Sequence, residues 1–580
     1  MRGISFNLDN NAINATINTL LEKHFIIQDA TGFEFKTMSI WNAVLTSAQK
    51  DTEIFKAVNQ ALYQIVSRIT LSSPFITSII TKNLDAKEEQ YSHLMNIAQQ
   101  TAYIGDVRLY ILCLEQMLEI IENQNTPQIN FVKYGVYTQL GKLLESSVPN
   151  SATEYLSKAI LMAPDEQNVE KIELLGYLAS ASMRLKNYNG AIECIDKTLE
   201  LTPEDAIVEK ALIKTRYLKP LESLGHSGAI INLISNEILP VFNDALNRKI
   251  SYKILTPEEL FKTILKTNIK LMKAYAIQGN LKAFETFNET IDLCQKYQTQ
   301  DNEIMTELHV VYALVHTLWG YIEVSGKILQ EVETVDNDIQ PTVKSTINLI
   351  KILNKFFADK ENLTYDELFE ATKYADDTND EFTKNIIKLI LGKLIADRTS
   401  AKEAMKIYSE QAEYFANIQN ALGVMLSWYF IAQAKMSISG VDEAIDILTK
   451  AIDVAKMPNI SNIYFLILFN KLMCDIYMTK QDFEASKMYL EIALQQAGTQ
   501  GIKYQIAQLQ MLYAKFLQDY VMTTNEDKEE GVQIASSELE KAEQTAEELN
   551  LESLKKEVKK AKTVLKSFCE VNNITQESEG

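Results

Sequence analysis

Proline and glycine are scarce. The 580 residues hold 10 Pro and 19 Gly, and after Pro257 only Pro341 and Pro458 remain. The prolines fall mostly at the edges of helical patterns, and no alternating strand pattern runs between them. An all-α chain without a sheet is the expectation. The five cysteines, Cys113, Cys194, Cys294, Cys474 and Cys569, are scattered and form no Cys-x-x-Cys pair. They read as buried thiols in a reducing compartment. No apolar window approaches the length of a membrane span. The seven residues Ile463 to Phe469 read as part of a helix buried on all sides. The first residues carry no apolar run of the signal-peptide type.

Positive charge is outnumbered: 57 Lys and Arg stand against 77 Asp and Glu, a net charge of −20. Non-specific grip on phosphate backbones comes from Lys and Arg and is disfavoured. A basic partner segment is favoured. Catalytic signatures are missing too: no Gly-rich phosphate loop, no Gly-x-Ser-x-Gly, no His-Glu-x-x-His. The histidines are His24, His93, His226, His309 and His316. His309 and His316 lie seven apart, whereas a metal pair on a helix wants a spacing of about four. Acidic pairs such as Asp376-Asp377 and Glu547-Glu548 suit exposed helix faces. Trp41, Trp319 and Trp428 suit a core. No catalytic residue, metal, cofactor or small-molecule substrate is expected.

What the chain does have is a repeat, clearest from Val136 to Asp205. Ala191 is followed by Ile195, Thr198 and Pro203, and Leu175, Leu178 and Ala179 precede it. The unit before has Ala152, Leu156, Ala159 and Pro164 in the same places. In both units Pro follows the first Ala by twelve residues, and those Ala stand 39 apart. A small side chain lets two helix backbones approach, and larger neighbours fill the grooves beside it. The pattern resembles the tetratricopeptide repeat, whose usual period is about 34 residues. One such helix pair cannot bury its own apolar face and needs neighbours. The fold expected is therefore a tetratricopeptide-like, right-handed α-α superhelix. Carboxylate-clamp repeats carry Lys and Asn on the first helix, where this chain has Gly176 and Ser180, so that function is disfavoured.

In chain order, residues 1–85 do not fit the repeat. Helices are expected near 8–24, 37–49 and 52–71, with a loop from Gln28 to Phe35. This extension precedes one set of repeats over 86–260 and another over 261–525. Leu94, Ile97 and Ala98 begin the first, with a turn at Gly105-Asp106 and a second helix from Val107 to Ile121. Ala229 continues the ladder 38 residues after Ala191, and roughly 238–260 is looser. Leu271, Tyr275, Gly279 and Ala283-Phe284 make another pair. Tyr312 to Val332 makes a further one, turning near Ser325-Gly326. Ala404, Ala444 and Ala485 follow at spacings of 40 and 41, with Trp428, Ala432, Leu472 and Phe483 in supporting places.

Beyond a helix at 503–520 the character changes. Residues 526–552 hold ten acidic and two basic side chains, and 555–566 hold six lysines. Leu551, Leu554, Val558, Ala561, Leu565 and Phe568 recur at steps of three and four, an amphipathic seam. Residues 526–570 read as capping helices with a polar outer face, and 571–580 as a disordered tail.

Several stretches resemble the tetratricopeptide subunit of the cohesin loader. They are Leu94-Met95-Asn96-Ile97-Ala98 with Val107 to Leu114, then Leu140-Gly141 with Ala152 to Ala159. Ile254-Leu255-Thr256-Pro257-Glu258-Glu259-Leu260-Phe261 and Leu368 to Ala375 with Leu391-Gly392 follow in the same order. The resemblance implies a non-enzymatic adaptor that binds the N-terminal segment of a large HEAT-repeat loader subunit. Loading of cohesin onto chromosomes, sister-chromatid cohesion, indirect chromatin association and a nuclear location come with it. The alternative is a generic repeat adaptor, or the peptide-sensing helical part of a bacterial regulator, with a cytoplasmic location. No membrane contact is expected, and partner-binding residues are not assigned.

Overall fold

The computed structural model describes residues 87–164, 167–297, 301–335, 338–438, 440–524, 528–572 and 574, with 18–19, 22, 26–28 and 33–35 before them. The chain is an all-α solenoid of antiparallel helix pairs. One small departure from the expected absence of sheet lies in the N-terminal extension. Strand β1 (Ile26–Gln28) pairs antiparallel with β2 (Phe33–Phe35), Ile27 opposite Glu34. β-branched and aromatic residues flank a four-residue connection ending in Gly32, a hairpin pattern that a loop reading overlooks. The helices expected at 37–49 and 52–71 lie outside the described residues. So do Trp41 and the tail beyond residue 574.

The chain divides into two compact units, Met1–Ala181 and Ser182–Gly580. The break placed by sequence at 260/261 falls inside the second.

Unit 1 is built on helices α1 (Lys87–Ile104), α2 (Val107–Ile121), α3 (Pro127–Leu144), α4 (Pro149–Met162) and the start of α5 (Asn168–Arg184). Gly105, at φ +79°, turns α1 into α2, and the Asp106 side chain accepts from Leu109 N–H as the cap. Pro127 and Pro149 open α3 and α4, where a missing N–H costs nothing. Ala152 and Ala159 are buried at the crossing, and Leu156 packs where Gly141 leaves no room for a Cβ. On α5 the core is Leu174, Leu175 and Ala181. The expected Leu178 and Ala179 are only half-buried.

Unit 2 continues with α6 (Tyr188–Leu201), α7 (Ile207–Thr215), α8 (Leu218–Leu224), α9 (Ser227–Leu233) and α10 (Leu239–Leu246). A π-helical stretch, Ile234–Ile238, joins α9 to α10. Pro240 lacks the N–H that would continue the regular ladder, and Leu239 N–H reaches back to Ile234 O instead. Long helices resume with α11 (Pro257–Gln278), α12 (Lys282–Tyr297), α13 (Asn302–Trp319), α14 (Ile322–Val335) and α15 (Pro341–Ala358). Then come α16 (Tyr365–Asp377), α17 (Glu381–Arg398), α18 (Ala401–Asn417), α19 (Ala421–Ser437) and α20 (Val441–Lys456). The last are α21 (Ile463–Thr479), α22 (Phe483–Gln500), α23 (Lys503–Thr524), α24 (Lys528–Glu548) and α25 (Glu552–Asn572).

Ala191, Ala283, Ala404 and Ala444 are buried at helix crossings. Ala229 and Ala485 are not: both are half-buried, and Ser486 is the buried residue beside the latter. Ser325-Gly326 is no turn. The turn is Gly320 at φ +96°, and Ser325 is a buried crossing residue within α14. A hydroxyl stands where alanine serves elsewhere because Thr317 Oγ1 (2.9 Å) and Asn354 Nδ2 (3.0 Å) share hydrogen bonds with it.

Candidate functional site

In unit 1, the first helix of each pair presents an accessible polar face. On α3 this stripe includes Phe131, Gly135 and Gln139, all exposed, with Lys142 half-buried. Phe131 keeps 67% of its surface, and a Cβ on Gly135 would meet nothing within 4 Å. A glycine inside a helix, with neither a left-handed φ nor a close neighbour, leaves a shallow open place on that face. Lys142 Nζ bonds Glu173 Oε1 at 2.7 Å and lies 5.4 Å from the Tyr177 ring centre, tying α3 to α5. The Ser180 hydroxyl is committed to Glu145, and Gly176 has no side chain to offer. Neither can grip a carboxylate.

Unit 2 is different, because its successive turns meet along a seam. Asn420 caps α19 with Oδ1, accepting from Gly423 N–H, while its Nδ2 donates to Ser223 O at 2.7 Å. Asn462 repeats the arrangement on α21: Oδ1 accepts from Phe465 N–H, and Nδ2 donates to Ile277 O at 2.9 Å. Gln278 Nε2 and the Ser227 hydroxyl both donate to Ile460 O, at 2.9 and 3.0 Å. Ala229 N–H bonds Asn459 O at 3.0 Å, which is how Ala229 is used in place of a crossing. Trp319 Nε1 donates to Gln500 O at 2.9 Å, and the Ser553 hydroxyl to Phe357 O at 2.7 Å.

Three glycines let the backbones close. Gly225, Gly279 and Gly320 end their helices with left-handed φ, which a Cβ resists. A Cβ at these positions would come within 2.8 Å of Leu422 N, 3.0 Å of Tyr464 Cβ and 2.7 Å of Tyr504 Cβ. Each would strike the opening turn of α19, α21 or α23.

Ionic groups lie beside this seam. Glu222 accepts from both Lys273 and Lys270, the latter at 2.9 Å. Burial alone would raise the Glu222 carboxyl, but the Lys273 and Lys270 ammonium groups overcome it and hold it well below the usual carboxylate range. The Glu222 charge in turn raises Lys273. A cavity of about 20 Å³, room for about one water, is bordered by these groups, His226 and Leu422. Further along, Lys471 Nζ donates to Gln508 Oε1 at 2.5 Å, and Gln508 Nε2 to Glu557 Oε2 at 2.6 Å, linking α21, α23 and α25. Burial lowers Lys471 and pushes the Tyr464 hydroxyl up to about 12.

The other residues singled out by sequence are structural here. His309 Nδ1 lies 2.7 Å from Met305 O within its own helix. His316 sits among the rings of Phe284, Tyr312 and Tyr321, and burial lowers it to about 4. Trp319 is buried and Trp428 is half-buried against the α19–α21 core. All five cysteines are buried, and burial pushes Cys113 and Cys474 up to about 12, far from thiolate reactivity. Among the described residues no cluster of His, Cys, Asp and Glu has a metal-holding arrangement, and no helix is long and apolar enough to cross a membrane.

The seam was not legible beforehand. Its sequence trace is an asparagine before α19 and α21, whose carboxamide oxygen caps while its separate NH2 group donates across. Nothing in the sequence says which backbone it would reach.

No known protein family matches the chain, and no curated protein does. Solved structures with low-level similarity to the chain include three complexes. A crystal structure of an APC/C hetero-tetramer, Cut9-Hcn1, is 12% identical with a TM-score of 0.30, covering 84% of this chain and 99% of that one. A Rap protein complexed with competence and sporulation factor is 10% identical with a TM-score of 0.26, covering 80% and 99%. Scc4 in complex with Scc2n and Ctf19n is 8% identical with a TM-score of 0.40, covering 98% and 99%.

Proposed function

We propose that the chain is a non-enzymatic protein-interaction scaffold that holds an extended segment of a larger partner. The observation that carries this reading is the contrast between the accessible first-helix face of unit 1, with Phe131 standing out of it, and the seamed turns of unit 2. An exposed aromatic on a polar helix face suits an anchor for a bound segment.

The specific partner we propose is the N-terminal segment of the HEAT-repeat subunit of the cohesin loader, wrapped by residues 1–260. With it go cohesin loading for sister-chromatid cohesion, indirect chromatin association and a nuclear location. The support is the collinear resemblance over roughly 90–500 together with the repeat fold. Affinity rests on apolar anchors, while the net charge of −20 speeds capture of basic residues, so salt slows association more than it hastens release.

The test is a pull-down of that segment with the full chain and with Phe131→Ala. Binding by the full chain, weakened at least tenfold in the variant, is expected. No binding by the full chain refutes the partner, and unweakened binding by Phe131→Ala refutes the face.

A further inference from the structure

The C-terminal pair α24 and α25 carries charge that the fold leaves unused. Lys562 Nζ bonds Glu543 Oε2 at 2.5 Å, fixing the register of the antiparallel pair. On the α24 side Glu540 and Glu547 are exposed, three residues before and four after Glu543. On the α25 side Lys566 and Lys559 are exposed, four residues after and three before Lys562. None of the four has an ion-pair partner among the described residues, whereas Lys555 and Lys556 pair with Glu552 and Glu361. The glutamates are seven residues apart and so are the lysines. Both spacings are about 10.5 Å of helix rise. Because the helices are antiparallel, Glu540 stands level with Lys566, and Glu547 with Lys559.

Two parallel lines of opposite charge at matched height are self-complementary. A two-fold axis running along the helices lays the glutamate line of one copy on the lysine line of another, twice over, as an isologous contact requires. Residues 528–572 contain ten Glu and eight Lys, a net charge of −2, so the remaining −18 lies elsewhere. Two copies of an acidic chain therefore meet here with little net repulsion. Two 21-residue helices are each about 31 Å long and about 10 Å wide, giving roughly 600 Å² per copy. That is the size of a weak, transient interface.

We infer that the outer face of α24 and α25 is a self-association surface, on which Glu540 and Glu547 of one copy pair with Lys566 and Lys559 of a second. The dimer is weak at low salt and dissociates as salt screens it.

The experiment is sedimentation equilibrium of the full chain at about 50 mM and about 500 mM NaCl, conditions on either side of physiological screening. Dimer at low salt and monomer at high salt are expected. The Glu540→Lys/Glu547→Lys variant alone and the Lys559→Glu/Lys566→Glu variant alone should be monomeric in both. Their equimolar mixture should form a heterodimer, because each supplies the charge the other lost, a result that misfolding of either variant cannot produce. Wild type that stays monomeric at low salt overturns the inference. So does dimer in both separate variants, a mixture that fails to associate, or capture of a polyglutamate peptide by Lys559 and Lys566 without self-association.

Discussion

Gly105 in unit 1 and Gly320 in unit 2 end helices in the same left-handed conformation, at φ +79° and +96°. Around Gly105 a Cβ would find open space, whereas at Gly320 it would lie 2.7 Å from Tyr504 Cβ. One glycine serves a local turn. The other serves a turn and the approach of a helix from the next coil of the solenoid. The same contrast separates the two units as wholes: the side-chain bonds named in unit 1 join helices no more than two apart in sequence, while unit 2 also bonds Ile277 to Asn462 and Trp319 to Gln500, across 185 and 181 residues. A left-handed glycine in a repeat protein therefore says that the chain turns. It does not say whether anything rests upon it.

The largest effect expected from breaking this comparison is at Gly320. Gly320→Ala should cost about 3 kcal/mol or more, combining roughly 1–2 kcal/mol of left-handed strain with overpacking of 1–3 kcal/mol. Gly105→Ala should cost about 1–2 kcal/mol, the strain alone. Urea unfolding of both variants checks the difference, and equal losses would remove the seam from the account.

Next is Glu222→Gln, which leaves Lys270 and Lys273 without their shared carboxylate and should cost about 2 kcal/mol. The folded-state carboxyl is held below its unfolded value, so its contribution is complete above about pH 4.3 and is lost as pH falls further toward the folded value. Wild type should therefore lose stability below about pH 4 more steeply than the variant, read as Tm against pH.

Smallest is Asn462→Ser. Serine still caps α21 but cannot reach Ile277 O, so about 1 kcal/mol should go. Lys142→Ala in unit 1 removes a partly exposed ion pair and should cost about 0.5 kcal/mol. A Tm shift for Asn462→Ser no larger than that for Lys142→Ala would place the seam bonds at the value of surface pairs.

Where the sequence pattern rested on local packing, it located helices closely. Gly105-Asp106 and the helix Val107–Ile121 coincide with the turn and α2, and Ala152, Ala191, Ala404 and Ala444 are buried at crossings. It erred where a different small residue could do the same work. Ser486 displaces Ala485 by one position, and Ser325 reads as a turn beside Gly326 because serine and glycine both favour turns. At Ala229 the alanine spacing persists, but the backbone there bonds Asn459 instead of lining a crossing. For the candidate site, Gly176 offers no side chain and the Ser180 hydroxyl bonds Glu145. The Asn420, Asn462 and Glu222 contacts were not seen at all.

By itself the sequence determined the all-α repeat, the buried thiols and the amphipathic face of α25, because each follows from residues within a few turns of one another. Helix periodicity and small-residue spacing are local quantities, written in neighbouring positions. Only the tertiary structure decided that unit 2 meets itself along a seam, that Glu222 holds two lysines, and that Glu540 stands level with Lys566. The seam depends on small rotations accumulated over several repeats, whose sum no single repeat's sequence records, and the two charge placements depend on which faces nearby helices turn toward each other.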